Sequence, residues 1–105
     1  MTDANWLRLS KRSEIAPGKC QVLRVGSRTV AIFNVNERFF AIEDLCPHRG
    51  GPLSEGTVED EQITCPWHRA RFDLKTGARL AGPPTRDALT FETRVVGEWI
   101  EILSR

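Results

Sequence analysis

No apolar run in the chain is longer than four residues, and only Val30 to Phe33 and Phe39 to Ile42 reach that length. This ceiling constrains the fold more than any other feature. A bilayer-spanning helix needs about 20 apolar residues in succession. An amphipathic helix needs apolar residues at i, i+3, i+4 and i+7, and no such stripe persists here for more than about two turns. Strand-length segments remain: Trp6 to Leu9, Cys20 to Val25, Thr29 to Val35, Phe39 to Ile42, Thr57 to Glu59, Gln62 to Cys65, Arg71 to Leu74, Leu89 to Val96 and Trp99 to Leu103. Gly26-Ser27, Asn36-Glu37, Asp60-Glu61, Thr76-Gly77 and Gly97-Glu98 fall between neighbouring segments. These are hairpin-length connections in which Gly or Asn adopts left-handed backbone at little cost. The pattern predicts an all-β chain, an antiparallel β-sandwich or small barrel.

Two stretches interrupt the rhythm. Glu43 to Gly56 contains Gly50-Gly51-Pro52 and no alternation, so it reads as a long loop, a kind of segment that usually carries function. Ala81 to Thr85 contains Gly82-Pro83-Pro84 and reads as a surface loop, because proline cannot donate to a central ladder. There is no internal repeat, and 105 residues suit a single domain, 1–105. Fifteen Lys and Arg against fourteen Asp and Glu give a net charge of +1, which lacks the cationic excess of nucleic-acid binders. The start, M-T-D-A-N-W, has an acid at Asp3 and no apolar stretch after it, so no secretory leader is expected and the location reads as cytoplasmic, off the membrane. Three cysteines is an odd count, which favours metal ligation or burial over a disulfide framework.

The two histidines and two of the three cysteines sit in two boxes, C-P-H-R-G-G at Cys46 to Gly51 and C-P-W-H-R-A-R-F at Cys65 to Phe72. Each box offers one thiolate and one imidazole: Cys46 with His48, and Cys65 with His68. A lone Cys or His is ordinarily a packed residue. Here every histidine stands within three residues of a cysteine in a turn-rich segment, which points to a metal. Pro47 and Pro66 each fix a backbone angle right after the cysteine and stiffen the loop before metal arrives. A structural zinc on Cys46, His48, Cys65 and His68 is one reading, although zinc modules more often pair Cys with Cys and His with His. Mixed boxes suit two metal atoms better.

C-x-H, sixteen residues, then C-x-x-H resembles the Rieske signature, in which one iron of a [2Fe-2S] cluster takes two thiolates and the other two imidazoles. The likeness extends to G-G-P-L-S-E-G at Gly50 to Gly56, to R-F-D-L-K-T-G at Arg71 to Gly77, and to Gly82-Pro83-Pro84, which is similar to the third cluster-covering loop of that family. It implies a Rieske-type sandwich with an inserted cluster-binding subdomain of two ligand loops, over about residues 43–85. One cluster per chain is implied, with Cys46 and Cys65 on the inner iron and His48 and His68 on the outer iron, nearest solvent. Quinol-oxidising members carry a disulfide where this chain looks to have Gly51 and Trp67, and hydroxyl donors where it has Ala70 and Phe72. Fewer donors to the sulfurs imply a low potential, roughly −150 mV. No histidine remains for a mononuclear iron site. The chain therefore resembles soluble Rieske ferredoxins, electron carriers rather than enzymes, whose partners are a flavin-dependent reductase and a terminal oxygenase. The alternative is the small subunit of an NAD(P)H-dependent nitrite reductase, partnered by its large subunit.

Other residues invite specific expectations. Cys20 reads as a buried small hydrophobe and Trp67 as a shield over one face of the site. Trp6 and Trp99 read as core or edge packing, and Glu55, Glu59, Asp60 and Glu61 as a solvated hairpin tip. Arg69 stands where the family usually has glycine, so left-handed strain is expected there, and Arg49, Arg69 and Arg71 would surround the histidine edge.

Overall fold

The two apolar runs become neighbouring strands with both faces covered. The computed structural model describes residues 5–47, 50–67, 69–83 and 85–103. Among them are eleven strands: β1 Trp6–Lys11, β2 Cys20–Val25, β3 Arg28–Val35, β4 Arg38–Glu43, β5 Thr57–Glu59, β6 Gln62–Thr64, β7 Arg71–Asp73, β8 Arg79–Ala81, β9 Thr90–Phe91, β10 Thr93–Val96 and β11 Trp99–Leu103. They form three antiparallel sheets, ordered β1-β11-β10, β2-β3-β4-β9 and β5-β6-β7-β8.

The second sheet is the middle layer. Its register sets Ile32 opposite Ala41 and Phe33 opposite Phe40, and successive side chains point to opposite faces. Val30, Ile32, Phe39 and Ala41 thus meet Ile100 and Ile102 in one core, while Ala31, Phe33, Phe40 and Ile42 meet Leu53, Ile63 and Phe72 in another. Each large side chain buried this way contributes about 1.5–3 kcal/mol. A half-solvated strand would alternate; these cannot, because each feeds two cores.

The hairpins follow the expected turn chemistry. Asn36 and Glu37 have φ of 54° and 69°, the pair of left-handed residues that a type I′ turn requires. Buried Asn34 holds this turn in place: its carboxamide accepts from the Glu37 N–H at 2.8 Å and donates to the Ile15 carbonyl at 2.7 Å.

Three elements differ from the sequence reading. The expected strand Leu89 to Val96 breaks at Glu92, because Thr90–Phe91 pairs with β4 and Thr93–Val96 with β11. The chain changes sheets there, and Thr93 Oγ1 fixes the bend by donating to the Phe39 carbonyl at 2.7 Å. β8 was not expected, since its residues are exposed or half-buried and show no alternation. Short 3-10 turns form at Arg12–Glu14 and Leu53–Glu55.

Trp6 and Trp99 lie on the outer side of the first sheet, where Arg94 stacks 4.2 Å from the Trp6 ring and Arg8 5.1 Å from the Trp99 ring. Both guanidinium groups also reach the buried Glu101 carboxylate, Arg94 Nη2 at 2.8 Å and Arg8 Nε at 3.4 Å. Hydrogen bonding from Arg94, then from Arg8, holds that carboxyl below its usual range against the opposing effect of burial. Among the described residues no helix is long and apolar enough to cross a membrane.

Candidate metal centre

The two boxes fold on one backbone template. In the first, the Cys46 N–H donates to the Gly51 carbonyl at 2.8 Å and the Gly50 N–H returns to the Cys46 carbonyl at 2.7 Å. In the second, the Cys65 N–H donates to the Ala70 carbonyl at 2.8 Å and the Arg69 N–H returns to the Cys65 carbonyl at 3.1 Å. The template needs a left-handed residue four positions after the cysteine, supplied by Gly50 at φ 77° and by Arg69 at φ 60°. The expected strain at Arg69 is thus present, because a side chain occupies the position that glycine fills in the first loop.

Both cysteines are 1% exposed and share one core cluster with Leu53, Ile63, Ala70 and Phe72. Ala70 and Phe72 are fully buried and bring no hydroxyl to the thiols, as the resemblance implied. Gly51 lies under the Trp67 ring: a methyl group there would stand 3.0 Å from the ring and 3.2 Å from Cys65 Sγ. Trp67 thus bridges the two loops while remaining 57% exposed, so the expected shield is also a surface. The third loop closes on the second box, where Gly82, at φ 93°, has room for no side chain: a Cβ would meet the Ala70 Cα at 2.6 Å and the Arg69 carbonyl at 2.8 Å. His48, Arg49, His68 and Pro84 lie outside the described residues. Of the expected arginine group, Arg69 and Arg71 are both exposed beside Cys65.

Two expectations need adjustment. Cys20 is half-buried rather than enclosed; its thiol donates to the Ser54 carbonyl at 3.5 Å, and burial, then the Asp44 charge, push its pKa up. Glu61, in the acidic run, is paired with Arg38 from the hairpin before it. Asp44, outside the motifs, and Ser54, inside G-G-P-L-S-E-G, hydrogen-bond to each other across the base of the first loop, a pairing that the motifs do not signal. Nothing in their identity separates them from ordinary solvated loop residues.

Residues 5–96 match the family model for the Rieske [2Fe-2S] domain, and the chain belongs to that family. Ferredoxin CarAc of Metapseudomonas resinovorans is 37% identical over 91 residues, covering 86% of this chain and 85% of its own. The ferredoxin of carbazole 1,9a-dioxygenase from Nocardioides aromaticivorans superposes with a TM-score of 0.89 at 27% identity, over 97% of this chain and all of its own. A ferredoxin solved in complex with the reduced oxygenase of carbazole 1,9a-dioxygenase gives a TM-score of 0.85 at 32% identity, over 96% of this chain and 94% of its own. A chain described as a nitrite reductase (NADPH) small subunit shares the fold, with a TM-score of 0.82 at 19% identity over 95% of this chain and 99% of its own. The cofactor is therefore a Rieske-type [2Fe-2S] cluster. The described residues fit such a group: each loop brings one thiol to a common core, and thiolate is the soft ligand that iron–sulfur clusters take.

Proposed function

We infer that this chain is a one-electron carrier that passes electrons from a flavin-dependent reductase to the terminal oxygenase of a ring-hydroxylating dioxygenase. The observation that carries this reading is the shared loop template, which seats Cys46 and Cys65 in one core at 1% exposure beneath Trp67. We assign Cys46 and Cys65 to the inner iron and His48 and His68 to the outer, within one domain whose cluster-binding part spans about residues 43–85. The β5 to β8 sheet, Thr57 to Ala81, and the loops flanking it support that extent. When bound, the cluster supplies reversible one-electron redox chemistry. The chain's part is to keep water from the thiols with Leu53, Phe72 and the Trp67 ring, and to withhold hydroxyl donors at Ala70 and Phe72. An imidazole bound through one ring nitrogen keeps the other for a hydrogen bond to a partner. We assign the protein to the cytoplasm, a compartment that keeps cysteine thiols reduced and able to ligate a cluster. Nitrite reduction is the second reading, favoured only by shared fold.

Stopped-flow mixing of the reduced protein with the oxygenase component of a ring-hydroxylating dioxygenase, and separately with a sirohaem nitrite reductase large subunit, tests the assignment. Rapid oxidation by the oxygenase is expected. Exclusive reaction with the sirohaem subunit would reverse the order of the two readings.

A further inference from the structure

The two loops share an internal template but are closed differently at the base. Around the second, strand pairing continues immediately outside it, with Thr64 opposite Arg71 between β6 and β7. Among the described residues the first has no such ladder. It leaves β4 at Glu43 and enters the 3-10 turn Leu53–Glu55, and the residue following Gly51 is Pro52, which has no N–H to pair. We propose that Asp44 and Ser54 form a clamp that positions the first loop as the β6–β7 pairing positions the second, a role that rests on the ligand assignment made above.

Both carboxylate oxygens are used: Oδ1 accepts from the Ser54 N–H at 2.6 Å and Oδ2 from the Ser54 hydroxyl at 2.9 Å. The bonds join the two ends of the segment Leu45 to Leu53, which contains the whole first box. Hydrogen bonds to a charged acceptor are about twice as strong as neutral ones, so one residue pair can stand in for a strand ladder. The clamp is anchored to the middle sheet from two strands. The Asp44 N–H donates to the Thr29 carbonyl of β3 at 2.8 Å, and the Cys20 thiol of β2 donates to the Ser54 carbonyl at 3.5 Å. Half-buried Cys20 thereby acquires a place in the same device. Fully buried Leu53, next to Ser54, adds an apolar anchor to the core that holds Cys46.

The test follows release of iron from the oxidised holoprotein into excess EDTA by visible bleaching, with EPR of the reduced form, for wild type, Asp44→Asn, Asp44→Ala, Ser54→Ala and Glu101→Gln. The last variant weakens the first sheet, away from the loop, and measures what general instability does. Asp44→Ala is expected to lose its cluster about tenfold faster than wild type and to broaden the EPR lines, whereas Asp44→Asn, which keeps an acceptor for the Ser54 N–H, stays within about threefold. Ser54→Ala, which keeps its N–H bond but loses the hydroxyl bond, falls between them, and it decides the matter if Asp44→Ala does not fold. A wild-type release rate in Asp44→Ala or, should that variant not fold, in Ser54→Ala would overturn the clamp, as would equal acceleration in a Glu101→Gln protein of matched melting temperature. A wild-type chain with no Rieske spectrum would overturn the ligand assignment instead.

Discussion

Replacing Gly82 by alanine puts a methyl group where the backbone of the second box already stands. The new Cβ would lie 2.6 Å from the Ala70 Cα and 2.8 Å from the Arg69 carbonyl oxygen, against the roughly 3.5–4.0 Å at which carbon atoms normally meet. Neither atom belongs to a side chain that can rotate aside, so the third loop must lift by about 1 Å. Two costs combine. Left-handed backbone costs an alanine about 1–2 kcal/mol, and the overlap adds about 1–3 kcal/mol, the usual range for overpacking. Gly18 separates them, because it has a similar φ, 83°, and a Cβ added there would have no atom within 4 Å. Gly18→Ala therefore bears only the first cost. Thermal unfolding followed by far-UV circular dichroism and by visible absorbance should place Gly82→Ala below Gly18→Ala by at least about 4 °C, taking about 4–8 °C per kcal/mol for a chain of this size. Only Gly82→Ala should bleach before it unfolds. Coincident melting of the two variants would refute the steric argument and with it the closure of the third loop on the second box.

Three further outcomes are expected. Arg69→Gly relieves the left-handed strain at φ 60° and raises the melting temperature, while slowing electron transfer to the oxygenase at low salt through loss of a docking charge; unchanged kinetics would remove Arg69 from docking, and a lower melting temperature would contradict the strain. Ala70→Ser combined with Phe72→Tyr should raise the midpoint potential in protein-film voltammetry, by roughly 40–90 mV per hydrogen bond of about 1–2 kcal/mol for one electron; no rise would mean that these side chains do not face the sulfurs. Glu101, whose folded pKa lies below its unfolded value, adds stability that is present above the unfolded carboxylate pKa and lost as pH falls through the folded one. Glu101→Gln should therefore melt lower at neutral pH and converge with wild type in acid, and a constant gap across that range would argue against this linkage.

Much of this molecule was legible in residue order because its turns are chemically explicit. Asn36-Glu37, Gly26 and Gly97 mark hairpins that form as the chain specifies. The two four-residue apolar runs revealed strands but not that one sheet serves two cores, since strand periodicity reports faces and not the layers packed against them. The break at Glu92 was invisible because apolar residues continue on both sides while the chain changes sheets. At the site, the boxes disclosed the donor types, and Arg69 betrayed its backbone through the glycine it replaces. Asp44, Ser54 and the contact of Gly82 with Ala70 depend on segments that only the folded chain brings together. No local pattern announces them.

Visible and EPR spectra of the dithionite-reduced protein, with the metal content counted per chain, test whether a cluster is held between the two boxes. Two irons, a mixed thiolate and imidazole Rieske EPR signal and a potential near roughly −150 mV are the predicted result. A colourless protein carrying one zinc would contradict it.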